Sequence, residues 1–364
     1  MNPPPEHERD LADHPPSGGS RDKVEDAVRL LGSSDPVGVY RSVAALARGG
    51  HGALLQPFPY SPDLPFHQPP CVEVEPAQTS GDTLRLYGHA AYPAFDSHLV
   101  ASMSSPSLDH LWTSVFHLLV GEGRNVAIVT NHGQIVDIAL VVGAFTLAMC
   151  AEERSFGVLG EQIDINTLVP RCNLMLSKMV ATTQVFGLPT PEVLQSVCRC
   201  FFSVPQTASR RRVKLDPQLA RANNIVMREH LEERLALGGQ VLAMAASGSQ
   251  DISLAAGLVQ KVRTTWRQRR GEDPGESPSL HLQPLYNGTI NLMLTCEYVV
   301  PVAISLDSRH PACSVGGLTR VRDAEDCHHV MQWIAQAHQE STGISTVYHE
   351  HEDDLLTQVR AVLR

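Results

Sequence analysis

The segment NVAIVTNHGQIVDIALVVGAFTLAMCA, residues 125–151, decides the fold of this chain. It begins with a short β-branched run, residues 125–130, which is bounded by Asn131. Such a run is typical of a buried strand. A short turn follows, and Asp137 then opens an apolar run, residues 138–151, whose length predicts a buried helix. A buried strand followed at once by a buried helix indicates an α/β unit.

Strands and helices alternate along the rest of the chain as well. Apolar spacing predicts further helices at residues 107–120, 192–198, 217–237, 254–267, 324–340 and 352–363. Further strands are predicted at residues 240–245, 299–305 and 344–348, and a polar surface loop at residues 267–279. The alternation predicts an α/β domain over residues 83–364, with a mixed, largely parallel sheet flanked by helices.

The first 82 residues differ from this domain in composition. Residues 1–21 are rich in proline, glycine, serine and charge, so we expect a disordered tail. Helical spacing of apolar residues over 22–48 predicts two short helices. Residues 49–82 are rich in proline and have little periodicity, which is typical of an extended strap over a domain surface or of a linker. We therefore expect a small N-terminal helical region and a strap ahead of the α/β domain.

The composition is that of a globular protein and excludes several classes of function. The chain has 364 residues, of which 43% are hydrophobic, and a formal net charge of −10, so nucleic-acid binding is not expected. The 14 residues of the segment 138–151 fall short of the roughly 20 that cross a bilayer. The N-terminus shows no apolar signal sequence. We therefore expect a cytoplasmic protein whose eight cysteines are reduced core residues.

The turn between the first strand and its helix carries two residues suited to proton transfer. His132 lies at the end of the predicted strand, where α/β proteins place their sites, and Asp137 lies five positions later. If the turn folds back, the carboxylate accepts a hydrogen bond from one ring nitrogen and leaves the other as a general base. The alternative is a turn histidine followed by an aspartate that only stabilises the start of a helix. The spacing alone does not decide between them.

Three blocks of sequence together resemble the glycerolipid acyltransferase family. Residues 131–137, NHGQIVD, resemble the Asn-His-x4-Asp motif of these enzymes. Residues 238–251, GGQVLAMAASGSQD, resemble a block of the soluble plastid-type glycerol-3-phosphate acyltransferases, and residues 299–305, VVPVAIS, resemble the family's last block. The three blocks follow the family's order, and the resemblance covers roughly residues 100–310.

The resemblance implies an enzyme of phospholipid biosynthesis with the family's α/β fold. Such an enzyme transfers a fatty acyl group from acyl-CoA or acyl carrier protein, as co-substrate, to glycerol 3-phosphate or a related small alcohol. The resemblance implies that His132 is the general base and that Asp137 orients it. The residues that it assigns to the substrate site are Asn131, Ser247, Gly248, Asp251 and Pro301. It implies no metal and no redox cofactor.

The sequence departs from the family where the acceptor phosphate is held. Gln250 and Ile252 stand where the plastid-type enzymes have arginines, and charge-assisted bonds from arginine to a dianion are strong. The candidate replacement is a basic cluster, Arg210, Arg211 and Arg212, whose alternative interpretation is a solvated loop. The loss favours a second hypothesis, a catalytically weak or inactive member of the fold that binds acyl thioesters or a protein partner.

Charge and spacing also bear on partners and location. An acidic protein has no general attraction to anionic lipid, so peripheral membrane contact needs a local basic or apolar patch. The plastid-type resemblance implies a plastid-like stroma as an alternative to the cytoplasm. The histidines and acidic residues at 349–354 lead into the predicted terminal helix, whose first turn favours acidic residues, so we interpret them as structural. The cysteines at 198–200 and near 327 are interpreted in the same way, because they lack a matching second pair for a metal.

Overall fold

Strands and helices alternate through the described part of the chain. The computed structural model describes residues 71–73, 81–132, 137–151, 164–176, 184–185, 188–189, 197–203, 217–246, 251–254, 279–307, 309–351 and 353–355. Its strands are β1 (Cys71–Glu73), β2 (Val126–Thr130), β3 (Cys172–Leu176), β4 (Gln184–Val185), β5 (Leu188–Pro189), β6 (Cys200–Ser203), β7 (Val241–Ala245), β8 (Ile252–Leu254), β9 (Ser279–Leu282), β10 (Tyr298–Ser305), β11 (Ala312–Val315), β12 (Thr319–Arg320) and β13 (Ser345–Tyr348). Its α-helices are α1 (Gly81–Ala91), α2 (Ala101–Met103), α3 (Asp109–Phe116), α4 (Asp137–Met149), α5 (Ile165–Leu168), α6 (Pro217–Ala236), α7 (Asn287–Cys296) and α8 (Ala324–Thr342).

A mixed, mostly parallel sheet forms the centre of the fold. Seven strands cross it in the order β1-β6-β3-β7-β2-β10-β11, and β12 joins by pairing with β10. The inner strands from β6 to β10 are parallel, whereas β1, β11 and β12 pair antiparallel at the two sides. Every residue of β2 and β7 is buried, as expected for strands covered on both faces. The predicted α/β fold with a mixed, largely parallel sheet flanked by helices is confirmed.

Helices cover both faces of this sheet and form two apolar cores. On one face Ile128 packs into the core that contains α4, where the rings of Trp112 and Phe145 meet edge to face at 5.4 Å between centroids. On the other face Ala127 and Val129 pack into the core formed with α6, α7 and α8. Successive residues of β2 therefore anchor opposite layers, which fixes the register of the strand.

The connections that leave β2 and β7 run in opposite directions across the sheet. After β2 the chain forms α4 in the first core and continues to β3, beyond β7. After β7 it continues through α7 in the second core to β10, on the far side of β2. Ligands of open α/β sheets bind in the crevice that such a reversal opens at the carboxyl ends of the strands. His132 follows β2 and Asp251 follows β7, so both residues lie at this crevice.

A pair of glycines ends α6 and turns the chain into β7. Gly238 and Gly239 have φ angles of 70° and 60°, a left-handed conformation that favours glycine. The main-chain N–H of Gly239 donates to the carbonyl of Gly123 at 2.9 Å. A Cβ atom on Gly239 would lie 2.3 Å from the carbonyl oxygen of Leu119, which is main chain and cannot rotate away.

Substituting Gly239 with alanine is expected to lower the free energy of unfolding by about 1–3 kcal/mol or more, because left-handed strain adds to the steric clash. Urea unfolding of the variant measures this change. The matched control is Gly288→Ala in α7, where a Cβ atom meets nothing within 4 Å. The control should be neutral or slightly stabilising because alanine favours helix. Equal stability of both variants and the wild type would contradict this role of Gly239.

The elements with the longest apolar runs match their predicted bounds to within a few residues. The strands predicted at 125–130, 240–245, 299–305 and 344–348 appear as β2, β7, β10 and β13. The helices predicted at 138–151, 217–237 and 324–340 appear as α4, α6 and α8. The helix predicted at 107–120 is instead divided into a 3₁₀ turn at Pro106–Leu108, α3, and a π-helical turn at His117–Gly121.

Some elements of the structure were not predicted, and some predicted elements fall outside the described residues. The sequence reasoning did not identify β3, β6, β9, α1 or α7 as elements. β1 falls within the predicted strap and forms an edge strand of the main sheet. Residues 1–70, and with them the predicted tail and short helices, lie outside the described residues, as do residues 255–278 and most of 192–198 and 352–363.

The apolarity of the helices and the state of the cysteines were both considered from composition. Among the helices described, none combines the length and apolarity that crossing a membrane requires. Cys150, Cys172, Cys296, Cys313 and Cys327 carry free thiols, and most of these five are buried. Burial raises the pKa of Cys172 to about 12, so this thiol stays protonated at neutral pH.

Candidate active site

The carboxyl end of β2 places His132 beside the first residue of α4. The His132 side chain is 15% exposed and the Asp137 side chain 2% exposed, with Nδ1 and Oδ2 at 3.7 Å. Asp137 opens a helix of 13 residues, whose N-terminal partial charge favours a carboxylate in this buried position. The structure therefore brings together the two residues predicted to form the catalytic pair.

The contact between His132 and Asp137 is longer than a hydrogen bond. Nδ1 of His132 is buried and has no hydrogen-bond partner among the described residues. A movement of about 0.5–1 Å would bring Nδ1 and the carboxylate within the range of an N–H···O bond. Catalytic hydrogen bonds are often long in ligand-free structures and shorten when substrate binds. Because Nδ1 faces the carboxylate of Asp137, Nε2 is the ring nitrogen that remains for another partner.

Asp251, directly before β8, completes a cluster of two carboxylates around His132. One carboxylate oxygen of Asp251 accepts the main-chain N–H of His132 at 2.6 Å, and the other accepts that of Gln283 at 3.2 Å. Asp251 is 6% exposed. The sequence reasoning placed Asp251 in the substrate site, whereas these contacts direct its carboxylate to main-chain groups.

Burial raises the pKa of Asp251 to about 6. The two main-chain hydrogen bonds and the charge of His132 oppose this effect, and the nearby charge of Asp137 adds to it. Because the pKa is raised on folding, the contribution of Asp251 to stability is present below its ordinary pKa and is lost as pH rises through about 6. Burial disfavours the charged form of Asp251, yet this carboxylate is ionised at neutral pH. Carboxylates of this kind are typical of functional sites.

Asn131 fastens the end of β2 to β10. Its Nδ2 donates to the carbonyl of Ile304 at 2.9 Å, and its Oδ1 accepts the N–H of Ile304 at 2.8 Å. The residue is 2% exposed. The sequence reasoning assigned Asn131 to substrate binding, but its amide bonds here to the neighbouring strand at both ends. Asn131 thus fixes the position at which His132 leaves the sheet.

Substituting Asn131 with alanine is expected to lower the free energy of unfolding by about 1–3 kcal/mol, because buried main-chain groups of Ile304 lose their partners. Chemical denaturation of both proteins measures the difference. Asn166→Ala serves as control, since Asn166 is exposed and its side chain bonds only locally to Asp164. A loss no larger than that of the control would show that the contacts of Asn131 contribute little.

Pro301 lies in the middle of β10, the strand that pairs with β2. It is paired with Val129, and its carbonyl accepts the N–H of Gly316 at 2.8 Å. In a strand, the N–H and C=O of one residue point to the same side. The missing N–H of Pro301 would therefore point into the gap between β11 and β12, so its absence removes no hydrogen bond between strands. A Cβ atom on Gly316 would meet the Pro301 ring at 2.6 Å and the ring of Trp333 at 3.0 Å. Pro301 therefore faces the α8 side of the sheet.

The other predicted site residues lie outside the described residues. Ser247 and Gly248 fall within residues 247–250, and Arg210, Arg211 and Arg212 fall within residues 204–216. The turn from 133 to 136 is also outside them. Their assignments to the substrate site remain predictions.

A cavity of about 360 Å³ lies at the edge of the main sheet, between β11 and α8. Its lining includes Ser314, Trp333 and Ser341, whereas neither His132 nor Asp137 is among its described lining residues. Trp333 also approaches Gly316 and thereby the surroundings of Pro301. His132 and Asp137 therefore lie outside the described lining of the cavity, at the crevice between β2 and β7.

The histidine and acidic residues near 350 have structural contacts in the described region. His349 is buried against His281, with their rings stacked at 5.2 Å between centroids and their nitrogens at 2.9 Å. Burial is the main cause that lowers the pKa of His349, so its ring tends to stay neutral. No group of three histidine, cysteine or acidic residues suited to a metal occurs among the described residues.

Main-chain partners of the site were missed by sequence reasoning. Ile304 and Gln283 hold Asn131 and Asp251 through their main-chain groups, which every residue type except proline possesses. No side-chain pattern could have identified either residue.

Comparisons with known proteins assign neither a family nor a function to this chain. No protein-family model matches the chain. No curated protein matches it significantly either. Interpretation of the site therefore depends on its own contacts and on the sequence motifs.

Proposed function

We propose that the chain is an acyltransferase. It moves a fatty acyl group from acyl-CoA or acyl carrier protein to the hydroxyl of glycerol 3-phosphate or a related alcohol. The observation that carries the proposal is the placement of His132 beside the buried carboxylate of Asp137, at the carboxyl end of β2. A histidine held in this way can act as a general base, while a carboxylate at its second nitrogen stabilises the imidazolium that forms.

The proposed reaction is direct transfer between two bound substrates. Nε2 of His132 accepts the proton of the acceptor hydroxyl, and the resulting oxygen nucleophile attacks the thioester carbonyl carbon. The bond between carbon and sulfur then breaks, and the leaving thiolate takes the proton from His132. Asp137 keeps the proton of the neutral ring on Nδ1 and favours the charged ring during the attack. The balance requires neither an oxidant nor a metal.

The choice of acceptor depends on which residues hold its phosphate group. Gln250 and Ile252 replace the arginines that hold the acceptor phosphate in the plastid-type enzymes that the chain resembles. Arg210, Arg211 and Arg212 are the proposed replacement, because guanidinium groups bind phosphate with two parallel hydrogen bonds. If they do not serve this role, a neutral alcohol is the better acceptor.

The test is identification of the acylated product. The full chain is incubated with a long-chain acyl-CoA, or with acyl carrier protein bearing the same chain, and with a mixture of glycerol 3-phosphate, lysophosphatidate and neutral alcohols. Mass spectrometry should detect one acceptor carrying the acyl chain. Absence of every acylated acceptor with both donors would contradict the proposal.

A second candidate function is a weakly active or inactive protein that binds acyl thioesters or a protein partner. The observation that favours it is the 3.7 Å separation within the catalytic pair, which is too long for a hydrogen bond. Under this hypothesis calorimetry detects acyl-CoA binding, but no acceptor increases the release of thiol.

A further inference from the structure

The main chain of His132 is held by Asp251 from two directions. The carboxylate of Asp251 accepts the N–H of His132 at 2.6 Å, and the N–H of Asp251 donates to the carbonyl of His132 at 2.8 Å. Hydrogen bonds from N–H groups to a carboxylate are shorter and stronger than neutral ones. Both main-chain polar groups of His132 are therefore fixed by one residue, 119 positions away in the sequence.

Asp251 is in turn anchored to the smaller sheet. This sheet has the order β13-β9-β8, and β8 begins directly after Asp251. The second carboxylate oxygen of Asp251 accepts the N–H of Gln283, the residue that follows β9. A rotation of the Asp251 side chain would break bonds on both sides. The carboxylate thus links the end of β2 to the smaller sheet.

The charge of Asp251 also faces the catalytic pair. Asp251 interacts electrostatically with both His132 and Asp137. Asp251 directs both oxygens to main-chain N–H groups of the protein, which distinguishes it from a residue whose carboxylate faces a substrate.

We propose that Asp251 is a positioning residue, which fixes the turn at His132 and thereby holds the imidazole against Asp137. The role deepens the proposed acyltransferase function and rests on it for its catalytic consequence. The positional part concerns the protein alone, so it can be measured whether or not acyl transfer occurs.

The kinetic test compares Asp251→Asn and Asp251→Ala with the wild type. Asp251→Asn keeps the size and one acceptor oxygen but removes the charge, and it carries the test if Asp251→Ala does not fold. We expect kcat to fall by about 10-fold or more in both variants, with KM for donor and acceptor changed by less than about 2-fold. Asp82→Asn, an exposed aspartate in the first turn of α1, is the control and should match the wild type. A raised KM at unchanged kcat would assign Asp251 to substrate binding and overturn the proposal.

A second measurement separates this proposal from the proposed function. In NMR spectra of the isotope-labelled full chain, the His132 signals are assigned by their loss in His132→Ala. We expect the His132 amide to exchange slowly in the wild type, and both this protection and the ring resonances to change in the Asp251 variants. Changed signals without any acyl transfer would support the positioning role and contradict the acyltransferase. Identical His132 amide and ring signals in wild type and variants would overturn the positioning role.

Discussion

Replacing His132 with alanine is expected to lower kcat/KM for acyl transfer by about 10²–10⁴-fold, the range that general base catalysis contributes. Alanine removes Nε2, the only proposed acceptor for the proton of the attacking hydroxyl. The side chain is 15% exposed, and its Nδ1 has no hydrogen-bond partner among the described residues, so its removal should cost the fold little. Steady-state thiol release, corrected for spontaneous hydrolysis, measures the effect.

The control for this substitution is His110→Ala. His110 is exposed in α3 and belongs to none of the site contacts described above. Its variant should retain the activity of the wild type, and both variants should bind acyl-CoA with the same affinity in calorimetry. Unchanged transfer by His132→Ala would remove His132 from the mechanism.

Replacing Asp137 with asparagine is expected to lower kcat by about 10²-fold or more, because the amide cannot stabilise the imidazolium. Asparagine keeps the size of the side chain and is also favoured at the start of a helix, so α4 should remain intact. Circular dichroism and urea unfolding check the fold, and steady-state kinetics measures kcat.

Asp109→Asn is the matched control for Asp137. Asp109 also stands at the first position of an α-helix, but it is exposed. A loss of activity confined to Asp137→Asn assigns the effect to the site rather than to helix stability. If both variants kept full activity, Asp137 would be only a helix-start residue, the alternative that its spacing left open.

Much of the sheet could be predicted because its central strands are continuous apolar runs. β2, β7 and β10 are buried on both faces, and such strands stand out from their polar flanks. β3 was missed because Asn173 interrupts its apolar run, although its amide is satisfied by Gln240 and the carbonyl of Val241. That compensation comes from distant residues and is invisible in the local sequence.

The helix α7 was missed for a different reason. It contains Gly288 and several residues of low helix propensity, so packing of Leu292 and Met293 into the second core, not propensity, specifies it. It ends at Glu297, whose φ of 62° is a conformation usually reserved for glycine or asparagine. A stop signal based on residue type could not have identified this end.

The site was predictable to the extent that it depends on side chains. The spacing of His132 and Asp137 indicated a pair, and the structure places them 3.7 Å apart. Asp251 was identified as a site residue, but its bonds to the main chain of His132 and Gln283 could not be predicted. Such bonds depend on the pairing of strands far apart in sequence. These bonds are the basis of the positioning role that we propose for Asp251.

Acceptor-dependent release of thiol from a long-chain acyl-CoA, measured side by side for the wild type and His132→Ala, tests the central claim most directly. Glycerol 3-phosphate, a lysophosphatidate and neutral alcohols are each added to the full chain. The account predicts that at least one acceptor accelerates release by the wild type and that His132→Ala loses about 10²-fold or more of this acceleration. Tight binding of acyl-CoA with no acceptor-dependent release by either protein would contradict the account and favour the binding protein.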